Sequence, residues 1–375
     1  MSDENTSKIR NSSLELLRLI SMFLIVSGHF AMWNFPDLSG LSFADKLTRD
    51  YIVISGGNIG VDIFFLISGY FMVKSNITVN KLLSLSSRVW FYSYCILAVF
   101  LIFNLGEVTI KATVKSLLPI SMNQYWFITT YVVLMLLSPF LNHFIQKSSK
   151  DVLLKLIILL LIILSLYPVF LNSQLGFGSE TGWAIVLYLV AGYFRLYVDI
   201  SKINVKRYAL LAITSYAVMI LIALMMNILN YKFGVTAMGD YRSVHFSSKQ
   251  SIFMFGLCVG LFGFFLGIKP FYNKFINAVS KSVIGVYLIH EHPLMRTFIW
   301  TKIFKVEDGE SIILNWLIAT PAVFIICLVI DFVLDKTVFK IWTEFVLNIG
   351  GKIIGFLGRK FKKCLNLQEV GKKDI

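Results

Sequence analysis

Four ionisable side chains sit where an apolar run should exclude them. Arg18 and His29 share the first such run, Leu14 to Trp33. Asp62 lies in Gly56-Gly57-Asn58-Ile59-Gly60-Val61-Asp62, and His290 ends Tyr287-Leu288-Ile289-His290. Ionisable groups inside a membrane span are costly, so each is read first as a functional residue. Eleven positions separate Arg18 from His29. On a helix that spacing is about 20° of azimuth and roughly 16 Å of rise, so both lie on one stripe. Alone, Arg18 is a snorkelling arginine that pairs with Glu15 at i, i+3, and His29 is an interfacial histidine. Together on one stripe they make a functional pair.

Asp62 has no Lys or Arg within three residues. A buried carboxylate needs a partner, and His29 is expected at similar depth. The glycines before Asp62 allow close helix approach. His290 and His292 are about 200° apart on a helix, so they do not face one metal. One is expected to face the bundle interior and the other solvent or headgroups, with Tyr287 and Arg296 sharing part of that surface. Arg88 begins another apolar run, ahead of Trp90, Tyr92 and Tyr94, and is either a topology charge or an anion contact. Cys95, Cys258 and Cys327 lie in apolar runs and Cys364 in a basic tail. No metal-ligand spacing links them, so neither a zinc site nor a disulfide framework is expected.

The elements that must position these groups are membrane helices. Of the 375 residues 57% are hydrophobic and 15% charged, with a mean hydropathy of +0.75. That balance excludes an ordinary soluble enzyme, a coiled coil or a disordered chain. Apolar runs fall at 14–33, 52–73, 89–104, 125–145, 153–171, 182–198, 208–228, 250–268, 282–300 and 311–331. Ten transmembrane helices are expected, an all-α polytopic membrane protein. With the N-terminus inside, the inner segments carry 24 Lys and Arg and the outer ones 9. This places both termini in the cytoplasm and the chain in the cell membrane as a multi-pass protein. The net charge of +14 is then mostly a topology signal, and nucleic acid is not an expected partner. Three segments follow: a polar N-terminus over 1–13, a transmembrane domain over 14–331, and a basic tail over 332–375. The first run has no cleavage site and reads as a retained helix, not a signal peptide. Within the tail, Thr337 to Lys363 alternates apolar and basic residues, as an amphipathic surface helix does, with Gly350-Gly351 as its break.

Three landmarks in order resemble the integral-membrane acyltransferase 3 family. They are the first-helix arginine and histidine, Arg18 and His29; the stretch Gly60-Val61-Asp62-Ile63-Phe64-Phe65-Leu66-Ile67-Ser68-Gly69-Tyr70; and the late segment from Ser282 to His290. The resemblance covers residues 10–331. The family often carries two arginines three apart at the start of the third helix. Here Arg88 matches the second and Leu85 takes the first, with Lys81 one turn further back. The hydrolase-like domain that some members append is not seen in this sequence.

The resemblance implies an O-acyltransferase. Its donor is acyl-CoA, usually acetyl-CoA, from the cytoplasm, and no metal is implied. Its acceptor is a hydroxyl of a surface polysaccharide or a lipid-linked sugar precursor, with polysaccharide-synthesis proteins as possible partners. Arg18, Arg88 and Lys81 would meet donor phosphates. His29 would serve either as general base or as transient acyl acceptor. Asp62 would orient it, with Tyr287 or a backbone amide at the oxyanion, and His290 belongs to the same expected site. The competing class is a polysaccharide or small-molecule transporter, which predicts broken helices and repeated halves; the sequence shows no repeat.

Overall fold

The computed structural model describes residues 11–35, 40–171, 180–233, 242–307, 309–349 and 352. The helices are α1 (Ser12–Asn34), α2 (Phe43–Ile54), α3 (Gly57–Met72), α4 (Val79–Phe103), α5 (Ile110–Leu117), α6 (Trp126–Lys147), α7 (Lys150–Leu161) and α8 (Tyr167–Leu171). They continue with α9 (Glu180–Tyr197), α10 (Val205–Phe233), α11 (Ile252–Gly267), α12 (Lys274–Val279), α13 (Val283–His290), α14 (Pro293–Phe298) and α15 (Ile312–Lys336). A last helix, α16, covers 338–349. No strand occurs among the described residues. Eight helices there are long and apolar enough to cross a bilayer, and large hydrophobic side chains such as Ile102, Phe140 and Leu221 face outward. The protein is embedded in a membrane.

Two of the ten expected runs are absent from those eight, for different reasons. The run at 182–198 forms α9, whose Ala184, Leu187, Tyr188 and Ala191 are wholly buried. A helix enclosed by other helices does not need a lipid-compatible surface, so α9 can carry Glu180 and Arg195. The run at 282–300 is interrupted. α13 stops at His290, Glu291 caps it, and His292 caps α14 with Pro293 in its first turn. Proline lacks an N–H and suits a helix start, which fixes the break here.

The core is built on α1 and α3. A Cβ on Gly28 would sit 2.4 Å from the backbone N of Gly57, and one on Gly60 only 2.2 Å from the carbonyl of Ser21. The expected close approach of these helices therefore depends on glycine at the contact. α9, α11 and α13 pack around this pair.

At the end of the bundle bearing Ser12, α16 lies against α4. Phe339 is buried, the Trp342 Nε1–H donates to the Ser87 carbonyl at 2.9 Å, and both rings pack on Phe91. A helix is thus present over 338–349 within the expected amphipathic stretch, with Phe339 and Trp342 turned toward α4 and Val338, Ile341, Phe345 and Ile349 exposed. Gly350-Gly351, the stretch from Gly358 to Lys363 and Cys364 lie outside the described residues.

Candidate functional site

α1 runs unbroken from Ser12 to Asn34, so Arg18 and His29 keep the stripe read from their spacing. Its far end is tied down twice. Trp316 Nε1–H donates to Ser27 Oγ at 2.9 Å, and the Val306 N–H donates to Asn34 Oδ1 at 3.1 Å. These bonds set the helix rotation on which His29 depends.

His29 meets the break between α13 and α14. Its Nδ1 lies 3.0 Å from His290 Nε2 and 3.1 Å from Glu291 Oε2. His290 Nδ1 is 2.6 Å from the Val286 carbonyl. A carbonyl only accepts, so His290 carries its proton on Nδ1 and, when neutral, offers a lone pair at Nε2. His29 must then donate from Nδ1 to His290 Nε2, while Glu291 Oε2 lies 3.1 Å from that nitrogen without a hydrogen bond to it. The lone pair of His29 is thereby placed on Nε2. His290 is fully buried, whereas the His29 side chain keeps 13% exposure.

Glu291 is held in turn. Arg296 NH1 donates to Glu291 Oε1 at 2.9 Å, and its guanidinium lies 3.8 Å above the Trp33 ring. Trp33 is one turn beyond His29 on α1, so the chain of contacts closes on itself. The arrangement is an imidazole oriented by a second imidazole, with a carboxylate beside it and one nitrogen left to act as base or nucleophile. The ligand atoms of His29, His290 and Glu291 also lie within 4.8 Å of one another, a set able to hold a cation.

A cavity of about 250 Å³ reaches Tyr287, next to this site. Arg18, Lys281, Ser68 and Ser280 are among its polar groups, and Met22, Phe64, Leu85 and Phe127 are among its apolar walls. The Tyr287 ring centroid is 6.1 Å from that of His290. Tyr125 O–H donates to the Leu288 carbonyl at 3.0 Å and anchors α13. A larger cavity of about 620 Å³, between α1, α12 and α15, is lined only by apolar side chains such as Phe23 and Phe324 and offers no chemistry.

Three sequence expectations meet a different geometry. Asp62 is fully buried but accepts from Trp183 Nε1 at 3.1 Å, and its other oxygen has no hydrogen bond, to His29 or any other group. The carboxylate beside His29 is Glu291. Arg88 is not open to an anion: Asp331 and Asp335 hold it at 2.9 and 3.0 Å, and Phe339 covers it at 4.9 Å. A basic residue beside two acidic ones on the next-packed helix satisfies itself before it can bind a ligand. His292 does not face solvent; it is buried, capping Leu294 N and lying 3.4 Å from Ser116 Oγ.

The other expectations fall as follows. Arg18 pairs with Glu15 at 2.5 Å and lines the cavity. Lys81 is exposed and donates to the Asn76 carbonyl. Tyr287 is buried with no hydrogen bond on its hydroxyl. Sequence reasoning gave no role to Glu291, Lys281 or Trp33. A carboxylate directly before His292-Pro293, inside an apolar run, was the available signal for Glu291.

A family model described as an acyltransferase domain matches residues 11–332. The chain belongs to that family. No curated protein and no solved structure matches it. Family membership supports a membrane acyltransferase, and the landmarks Arg18, His29 and His290 now have their geometry within it.

Proposed function

We propose that this protein transfers an acyl group, acetyl foremost, from cytoplasmic acyl-CoA to a hydroxyl of a surface polysaccharide or its lipid-linked sugar precursor. The observation that carries this reading is the His29 imidazole, oriented through Nδ1 by His290 with the Glu291 carboxylate close by, together with a cavity lined by Arg18 and Lys281 that reaches Tyr287, next to His290. In this reading the chain crosses the cell membrane ten times, with both termini cytoplasmic. The excess of Lys and Arg on one set of segments supports that orientation, and polysaccharide-synthesis proteins would be its neighbours.

Arg18 and Lys281, rather than Arg88 and Lys81, then meet the donor phosphates. The thioester arm follows the apolar walls toward Tyr287 and His290. His29 Nε2 removes the proton from the sugar hydroxyl as that oxygen bonds to the thioester carbonyl carbon. The C–S bond breaks, and the thiolate takes the proton back from the imidazolium. Glu291 stabilises the cationic ring meanwhile. In the covalent variant Nε2 itself accepts the acyl group first and passes it to the sugar. In this reading Tyr287, which lines the cavity, donates to the developing oxyanion.

One observation favours a second reading. Transporters use discontinuous helices, and α13 and α14 form one. The test separates the two. Cells expressing the wild type, no protein, or His29→Ala at equal membrane abundance are compared for ester content of purified surface polysaccharide. Loss of O-acyl groups in the last two supports the transferase. Unchanged ester with altered export or chain length would support transport.

A further inference from the structure

A second polar cavity, of about 510 Å³, lies at the junction of α7, α9 and α10. Lys150, Lys202 and Arg207 line it, with Tyr193, Tyr208 and Leu211. Asp199 takes Lys202 at 3.6 Å. Among the described residues Lys150 and Arg207 have no ion-pair partner. The cavity therefore carries a net positive charge with two cations uncommitted.

Its place in the bundle narrows the ligand. The end of α11 at Gly267 contacts Ile203 and Val205, and the loop beyond it accepts the Ser12 N–H through the Phe271 carbonyl. The cavity is thus on the same end of the bundle as Ser12, Arg18 and Lys281. Unlike the donor cavity it is peripheral: α10 is the least buried of the spanning helices, and Leu211, which lines the cavity, is 39% exposed. Cations and tyrosines above an outward apolar face match a phosphate head with acyl chains below it. A soluble anion would have no use for that apolar border.

We infer that this cavity binds the headgroup of an anionic phospholipid of the leaflet on the Ser12 side, with the acyl chains lying along α10. The inference stands apart from the transferase reading and does not need it.

The test uses the full chain purified in detergent and titrated with phosphatidylglycerol or phosphatidylcholine, with bound lipid counted by native mass spectrometry. The wild type is expected to retain phosphatidylglycerol in preference to phosphatidylcholine. Lys150→Gln with Arg207→Gln should weaken that affinity about 25-fold, at roughly fivefold per cation removed. The charge-keeping exchange, Lys150→Arg with Arg207→Lys, should stay within about twofold, which guards against a folding artefact. Equal retention of both lipids, or unchanged affinity in the double glutamine variant, would overturn the inference. So would displacement of phosphatidylglycerol by an equal concentration of inorganic phosphate, which would mark a site for a free anion.

Discussion

Two buried ionic clusters sit in this membrane bundle, and they differ in what they leave unfinished. In one, Arg88 of α4 is shared by Asp331 and Asp335, and Tyr92 O–H donates to Asp331 at 2.5 Å. Asp331 is fully buried, and it presses so closely on α13 that a Cβ at Gly285 would lie 1.7 Å from its Oδ1. In the other, Arg296, Glu291 and His290 converge on His29. There the Arg296–Glu291 pair and the His290 bond hold the ring, and one imidazole nitrogen of the partly exposed His29 is left over. The first cluster uses its charges to hold helices together. The second uses the same ingredients to aim one atom. A charge in a membrane span is therefore a functional marker only after its partners are counted.

The comparison can be broken by substitution, and the expected effects are unequal. His29→Ala should lower acyl transfer by about a thousandfold or more while the protein accumulates normally, because it removes the base or nucleophile itself. Asp331→Ala should act on the fold instead. Arg88 then keeps only the partly exposed Asp335 and Tyr92 loses its acceptor, read as a drop in thermal midpoint and membrane abundance. Glu291→Gln keeps the shape but not the charge, and should cut kcat by about a hundredfold with KM for the donor little changed. Arg18→Gln should raise the donor KM about tenfold with a smaller effect on kcat, as loss of a phosphate contact does. Arg88→Gln, corrected for abundance, should leave that KM within about twofold. A tenfold rise there would restore Arg88 to the donor site and erase the distinction between the clusters.

Much of this was legible in the sequence because it depends on spacing within one helix or on bulk composition. The stripe of Arg18 and His29, the Arg18–Glu15 pair, the glycine contact of α1 with α3 and the membrane class are local or summed properties. His290 was also readable, as an imidazole ending an apolar run. What failed was partner choice across the bundle. Asp62 and Glu291 are both carboxylates inside an apolar run, and nothing in their own segments says which one reaches His29. The packing of α9 decides it by giving Asp62 the indole N–H of Trp183. Arg88 misled for the same reason: its two carboxylates lie 243 and 247 positions away. The enclosed helix α9 and the broken α13–α14 also escape a count based on hydropathy, which registers lipid contact rather than helicity.

The most direct test of the central claim is the rate at which purified protein releases free CoA thiol from acetyl-CoA in the presence of a sugar acceptor. The wild type, His29→Ala and Glu291→Gln should be compared at equal folded concentration. The account predicts loss of activity in the first variant, a reduced kcat at unchanged donor KM in the second, and partial recovery of His29→Ala by added imidazole. Turnover of His29→Ala within about tenfold of wild type would contradict it, because His29 could then be neither the base nor the nucleophile of the transfer.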